Sequence, residues 1–191
     1  MRIAPFPVIL LLASSLGCAG HPAVKSVELL DARTGATVAV LKAPIELLPS
    51  AQFASQVPHK QVSFAYLGPV EWNRSGTLSY GLWIHIAPGN DGRPGDIHAA
   101  AAVTLMLDDG PLTLARMETP RLGRDPYPPV APWGQSAYFG LDVETLGRVA
   151  ASRRLDLEVP TKDGSIMTFS PTSDVRPVLT QYLKARGITR D

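Results

Sequence analysis

The stretch HIAPGNDGRPGDIH sets two imidazoles and two carboxylates, His85, Asp91, Asp96 and His98, within fourteen residues. Imidazole nitrogen and carboxylate oxygen form the donor set that binds zinc and similar cations, and a loop between strands can fold such groups toward one point. A metal held there would be the basis of a small metal-dependent hydrolase. The spacing fits no standard ligand pattern, however, and the same residues suit an exposed turn. Gly89, Gly92 and Gly95 supply positive φ, while Asn90 and Asp91 bond their own backbone. Other catalytic signatures are missing from the chain: there is no GxSxG elbow, HExxH pair, P-loop or GxGxxG after a strand. No residue is assigned a catalytic role.

A second stretch points to recognition rather than reaction. TPRLGRDPYPPVAPWG, residues 119–134, carries Pro120, Pro126, Pro128, Pro129 and Pro132 together with Tyr127 and Trp133. Proline-rich chain is already extended and loses little entropy on binding, while Tyr and Trp bring large contact areas, so the loop can dock a partner. Tyr127, Trp133, Arg121 and Arg124 are the candidate contacts. Alternatively the loop is a rigid connector that packs back across a sheet, with both rings covering a core edge. Arg116, Arg121 and Arg124 could meet anionic lipid headgroups or lipopolysaccharide, although dispersed cations also make an ordinary solvated surface.

The only cysteine lies near the start, in MRIAPFPVILLLASSLGCAG. Arg2 is followed by a short apolar run and then small residues, the order of a secretory signal, and the run is too short to span a bilayer. Ser15-Leu16-Gly17 leads directly into Cys18, and this stretch resembles the lipobox of bacterial lipoproteins, with Leu16 one place later than the family prefers. The resemblance implies that the chain is cut after Gly17 and that Cys18 carries a diacylglyceryl group and an N-acyl chain. No other cofactor is expected. Ala19 in place of Asp implies, within that family, the outer membrane, with the domain facing the periplasm. The alternative is that Cys18 is incidental and is discarded on cleavage near Ala19 or Ala23. Several acyl chains anchor a protein durably where one does not. The tether up to Lys25 reaches at most about 25 Å, so the domain would work close to the membrane or to another membrane-bound protein.

Composition narrows the classes further. With 18 basic and 17 acidic residues among 191, the net charge of +1 lacks the basic footprint of a nucleic-acid binder. Few charged residues and abundant proline and glycine suit short strands and turns. The length fits one domain, read as a signal peptide at 1–17, a lipidated cysteine and tether at 18–25, and a single β-rich domain at 26–191.

The elements that must position these residues follow mainly a period of two. Residues 26–33 and 37–43 flank Thr34-Gly35-Ala36 as a hairpin, with Val27, Leu29, Val38 and Val40 expected inward. Residues 44–60 read as a crossover loop, and 61–68 and 78–87 as strands, with Trp83 in the core. The clearest hairpin spans 101–119, where Val103, Leu105 and Leu107 face Leu112, Leu114 and Ala115 across a primed turn at Asp109-Gly110. A strand at 136–142, a helix capped by Asp142, a hairpin across Lys162-Asp163-Gly164 and a last helix capped by Ser173 or Asp174 and stopped near Gly187 complete the chain. Eight or nine strands and two short helices make a mainly β, α+β chain, expected as an antiparallel β-sandwich or open barrel. The expected function is a non-enzymatic envelope module that binds or scaffolds another envelope protein. A lipid-anchored metal-dependent hydrolase and a periplasmic ligand carrier are the alternatives.

Overall fold

Alternating apolar residues build strands wherever both flanks offer a turn. The computed structural model describes residues 26–50, 63–87, 97–118, 125–128, 131–161 and 164–188. In these, ten strands and two helices run in the order β1 (Ser26–Asp31), β2 (Ala36–Leu41), β3 (Ile45–Pro49), β4 (Phe64–Arg74), β5 (Thr77–Ala87), β6 (Ala102–Leu107), β7 (Gly110–Ala115), β8 (Gln135–Leu141), α1 (Val143–Ala151), β9 (Asp156–Pro160), β10 (Ile166–Pro171) and α2 (Arg176–Ala185). The count exceeds the expected eight or nine chiefly because β3 forms inside the presumed crossover loop. Ile45 and Leu47 alternate there over too short a span to stand out beside Pro44.

All ten strands belong to one sheet whose ladders are antiparallel. β2 and β3 share one edge of β4, β2 with residues 70–73 and β3 with 65–67. They are separated by Lys42-Ala43-Pro44, where proline has no N–H to give a ladder. The sheet divides at this break. β2 carries β1 outward, while β3 carries β10, β9, β6 and β7, which curl round until Arg116 bridges Phe139 of β8 and Met117 N–H donates to the Tyr138 carbonyl at 2.9 Å. One isolated bridge is not a ladder, so the sheet is not closed into a barrel, and the architecture is that of an α+β sandwich or open barrel.

Its inner face is filled by Leu67, Ile84, Phe139, Leu47, Leu105, Leu157 and Phe169, all with no exposed surface, in a single core with the apolar stripes of α1 and α2. Asp142 caps α1 as expected, accepting from Thr145 N–H at 2.7 Å, and Gly187 ends α2 with φ +67°. The cap of α2 departs from expectation. Val175 holds the cap position, and Asp174 instead accepts from the backbone N–H of Arg176 and pairs with its guanidinium, which holds the Asp174 carboxyl down at about 2. On β1, Leu29 is half-exposed, and β1 ends the strand order with β2 as its one laddered neighbour among the described residues. Ala115 on β7 is exposed as well.

The turn chemistry also differs from the sequence reading. Leu107 pairs with Gly110, so Asp108 and Asp109 form the β6–β7 turn and Gly110 follows at φ +119°. No primed turn forms there because neither aspartate takes positive φ. The primed turn lies instead at Ser75-Gly76, φ +53° and +86°, joining β4 to β5. The aspartate turn is tied to the exit of α1. Ser152 Oγ accepts from Asp108 N–H at 2.9 Å and donates to the Arg154 carbonyl at 2.7 Å, while Asp108 accepts from the N–H groups of Arg153 and Arg154. Ser152 is buried, so Ser152→Ala strands one donor and one acceptor and is expected to cost about 1–2 kcal/mol. The urea midpoint, with an unchanged slope, measures it.

Candidate functional site

β5 is buried on both faces from Gly81 to Ala87, so its side chains serve two environments. Even-numbered residues fill the barrel. Odd-numbered ones face outward, where the register sets Tyr66, His85 and Ser136 in one row, Gly68, Trp83 and Tyr138 in the next, and Val70, Gly81 and Gly140 in a third. The glycines let rings lie flat on the sheet. A Cβ on Gly81 would meet Trp72 and Met117, and one on Gly68 would fall inside the ring of Tyr127.

Tyr127 arrives from the proline-rich loop and is held by geometry rather than by burial alone. Its hydroxyl donates to the Pro69 carbonyl at 2.9 Å and accepts from Leu41 N–H at 3.0 Å. Its ring stacks on Trp83 at 4.7 Å, Trp83 in turn stacks on His85 at 5.4 Å and 8°, and Trp72 meets Tyr138 at 5.6 Å. Asp125 accepts from Tyr138 Oη at 2.8 Å and from Tyr127 N–H at 3.2 Å. Burial raises both phenols far above the ordinary tyrosine value, and for Tyr138 the Asp125 charge adds to it. Both therefore stay protonated hydrogen-bond donors.

The connector reading thus holds for Tyr127, which is 1% exposed. Trp133, six residues on, does not cover the core: it is 70% exposed. Beside Tyr127, Val27, Leu29, Val40, Leu41 and Lys42 line a cavity of about 200 Å³ together with residues 125–128. Arg121 and Arg124 lie outside the described residues. Arg116 is committed elsewhere, since its guanidinium donates to the carbonyls of Ile97 (3.0 Å) and His98.

His85 and His98 have different surroundings. His85 is 1% exposed, with Nδ1 2.8 Å from Ser136 Oγ and with no hydrogen-bond partner for Nε2 among the described residues. Burial lowers its pKa, against smaller opposing pulls from the Ala131 backbone and the Asp125 charge. His98 is exposed on the turn before β6. Asp91 and Asp96 lie outside the described residues, as do Cys18 and Gly17. Among the described residues, no group of three or more His, Cys, Asp or Glu side chains could hold a metal ion. The His85–Ser136 contact resembles a base with its nucleophile, but no carboxylate among the described residues bonds Nε2 to orient the ring. Sequence reading passed over Ser136, Tyr138 and Asp125. Ser136 lies 51 residues from His85 and carries no local signal. The alternation of β8 was the only clue that one of its faces would meet that of β5.

Compared with known proteins, the chain matches no family model, no curated protein and no solved structure.

Proposed function

We propose that this chain is a lipid-anchored protein of the bacterial envelope, cut after Gly17, acylated on Cys18 and held in the outer membrane facing the periplasm. There it acts as a non-enzymatic docking or scaffolding module for another envelope protein. The observation that carries the reading is Trp133. A large amphipathic ring is left 70% exposed on a loop that Tyr127 pins to the sheet, so the ring is presented to a partner at little further entropic cost. No helix among the described residues is long and apolar enough to cross a membrane. Attachment therefore rests in this reading on Cys18.

Two observations favour docking over the alternatives. The cavity beside Tyr127, at about 200 Å³, is below the roughly 300–1,000 Å³ of small-molecule sites and suits a single side chain. A larger hollow of about 480 Å³ lies away from this loop, between Ala150 of α1 and Arg176 of α2. The inner face of the barrel is filled by tightly buried core side chains, which weighs against carriage of a ligand there. For metal-dependent hydrolysis, Ser136 occupies one nitrogen of His85 while the other is sealed from solvent.

The test is in-cell crosslinking of the tagged full chain with mass spectrometry, beside Cys18→Ala and Trp133→Ala. The expected result is one envelope protein captured by the wild type, lost with Cys18→Ala together with the membrane fraction, and weakened about tenfold or more by Trp133→Ala. Equal solubility and no capture in all three forms would overturn both anchor and docking.

A further inference from the structure

The turn at residues 131–134 sits directly on the buried imidazole. Gly134 N–H donates to the Ala131 carbonyl at 2.9 Å, closing the turn, and a Cβ on Gly134 would fall well under 3.0 Å from His85 Nε2. The imidazole is enclosed by Trp83 from its own strand, Tyr66 from β4 at 6.2 Å, Ser136 from β8 and this turn. A neutral ring suits the enclosure, with one nitrogen bonded and the other packed dry. An imidazolium would carry two N–H donors; among the described residues Ser136 can accept at one, and the Ala131 carbonyl gives the other only a pull smaller than the cost of burial.

We propose that His85 is a proton-operated latch: its neutral ring lets the 131–134 turn lie closed on β5, and its protonation lifts the turn and the Trp133 it carries. This holds whether or not the chain is lipid-anchored. Among the described residues, the charged and titratable groups facing the ring give no strong counter-charge. From the 125–128 loop, the Asp125 carboxylate is already bonded to Tyr138 Oη and Tyr127 N–H, and it pulls on the ring only at a distance. From β3, Glu46 bonds Tyr66 rather than the ring. Tyr66, Tyr127 and Tyr138 all have raised pKa values and are neutral. Among the described residues no carboxylate bonds the imidazole.

The direction follows from linkage. Burial depresses the closed-state pKa of His85 below the ordinary histidine value near 6.5 that a lifted, solvated ring would take. Protonation therefore adds nothing to opening well above about pH 6.5. Each pH unit below that raises the open-to-closed ratio by up to about tenfold, until the closed-state value is passed and the effect levels off.

Hydrogen exchange of the full chain in detergent micelles, corrected for intrinsic rates, tests this between about pH 7.5 and 5, alongside the His85 imidazole NMR signal. Protection of the Gly134 N–H, which closes the turn, is expected to fall roughly tenfold or more with the midpoint at which His85 titrates, while the β6–β7 hairpin stays protected. His98→Gln should behave as wild type and His85→Gln should show no acid opening. Gly134→Ala, which forces a methyl against the ring, should be open at pH 7.5 and insensitive to acid. Acid opening that persists in His85→Gln would overturn the latch. So would a titrating His85 with unchanged protection, or no His85 titration before global unfolding. If His85→Gln does not fold, a mismatch between the wild-type opening midpoint and the His85 titration, or a closed Gly134→Ala, overturns it equally.

Discussion

Arg186→Ala is expected to lower the unfolding free energy by about 3 kcal/mol, a fall in Tm of roughly 6–12 °C for a domain of this size. Arg186 ends α2 and reaches back to the sheet, where its guanidinium bonds Glu71 Oε1 at 2.6 and 3.2 Å and also pairs with Glu28. These contacts raise its own pKa further, so it is a fixed positive charge. The two acids are not equivalent. The Glu28 side chain is 56% exposed, and its share is small because water screens it. The Glu71 side chain is 4% exposed, and removing the arginine leaves its carboxylate buried without a partner. The cost lies in that stranded charge rather than in the strength of the pair. Glu71→Gln combined with Arg186→Met should therefore recover most of the loss, and chemical denaturation of the single and double variants checks it. A double variant as unstable as Arg186→Ala would show that packing of the arginine stem, and not the charge, holds α2 to β1 and β4.

Tyr127→Ala is expected to cost about 3–5 kcal/mol, the range for emptying a buried aromatic site. Three losses coincide. The ring leaves a void over Gly68, the stack on Trp83 is lost, and Leu41 N–H and the Pro69 carbonyl lose their common partner. Tyr127→Phe separates these terms, since it keeps the ring and unpairs the backbone groups for about 1–3 kcal/mol. Hydrogen exchange locates the damage. Residues 125–128 and the first strand pair should lose protection well before the β6–β7 hairpin does. The contrast with Trp133→Ala matters for function. Removing that exposed ring should leave stability within about 0.5 kcal/mol while weakening partner capture. A stability loss at Trp133 comparable to that at Tyr127 would mean that both rings serve the fold.

Local chemistry was legible wherever one element sufficed to settle it. Val103, Leu105 and Leu107 alternate strictly, and they form one arm of a hairpin with every odd residue buried. Asp142 precedes a run with its apolar residues on one stripe, and it caps α1. Gly187 stops α2 because a left-handed residue is easy only for glycine. Turn type was less legible. Asp109-Gly110 satisfies the composition of a primed turn, but the pull of Arg153 and Arg154 N–H groups on Asp108 comes from an element more than forty residues away.

The candidate surface was legible only in outline. Tyr127 and Trp133 stand six residues apart in the same proline-rich segment, and nothing in their types says which is pinned and which is presented. That choice depends on Leu41 and Pro69, 86 and 58 residues from Tyr127, and on the gap left by Gly68. His85 illustrates the same limit. Its neighbours in sequence suggested a polar loop, whereas its neighbours in space are Trp83, Tyr66, Ser136 and Gly134.

By itself the sequence determined a strand-rich chain of open-barrel or sandwich type, its best hairpin and its two helices. These follow from periodicity, caps and turn residues, which act over a few positions. Only the tertiary structure decided that β2 and β3 divide the sheet, that Glu71 is neutralised from 115 residues away, and which aromatic ring of the proline-rich loop is left in water. The reason is physical: packing, buried charge and exposure depend on which faces meet, and strands far apart in the chain meet through registers that no short stretch specifies.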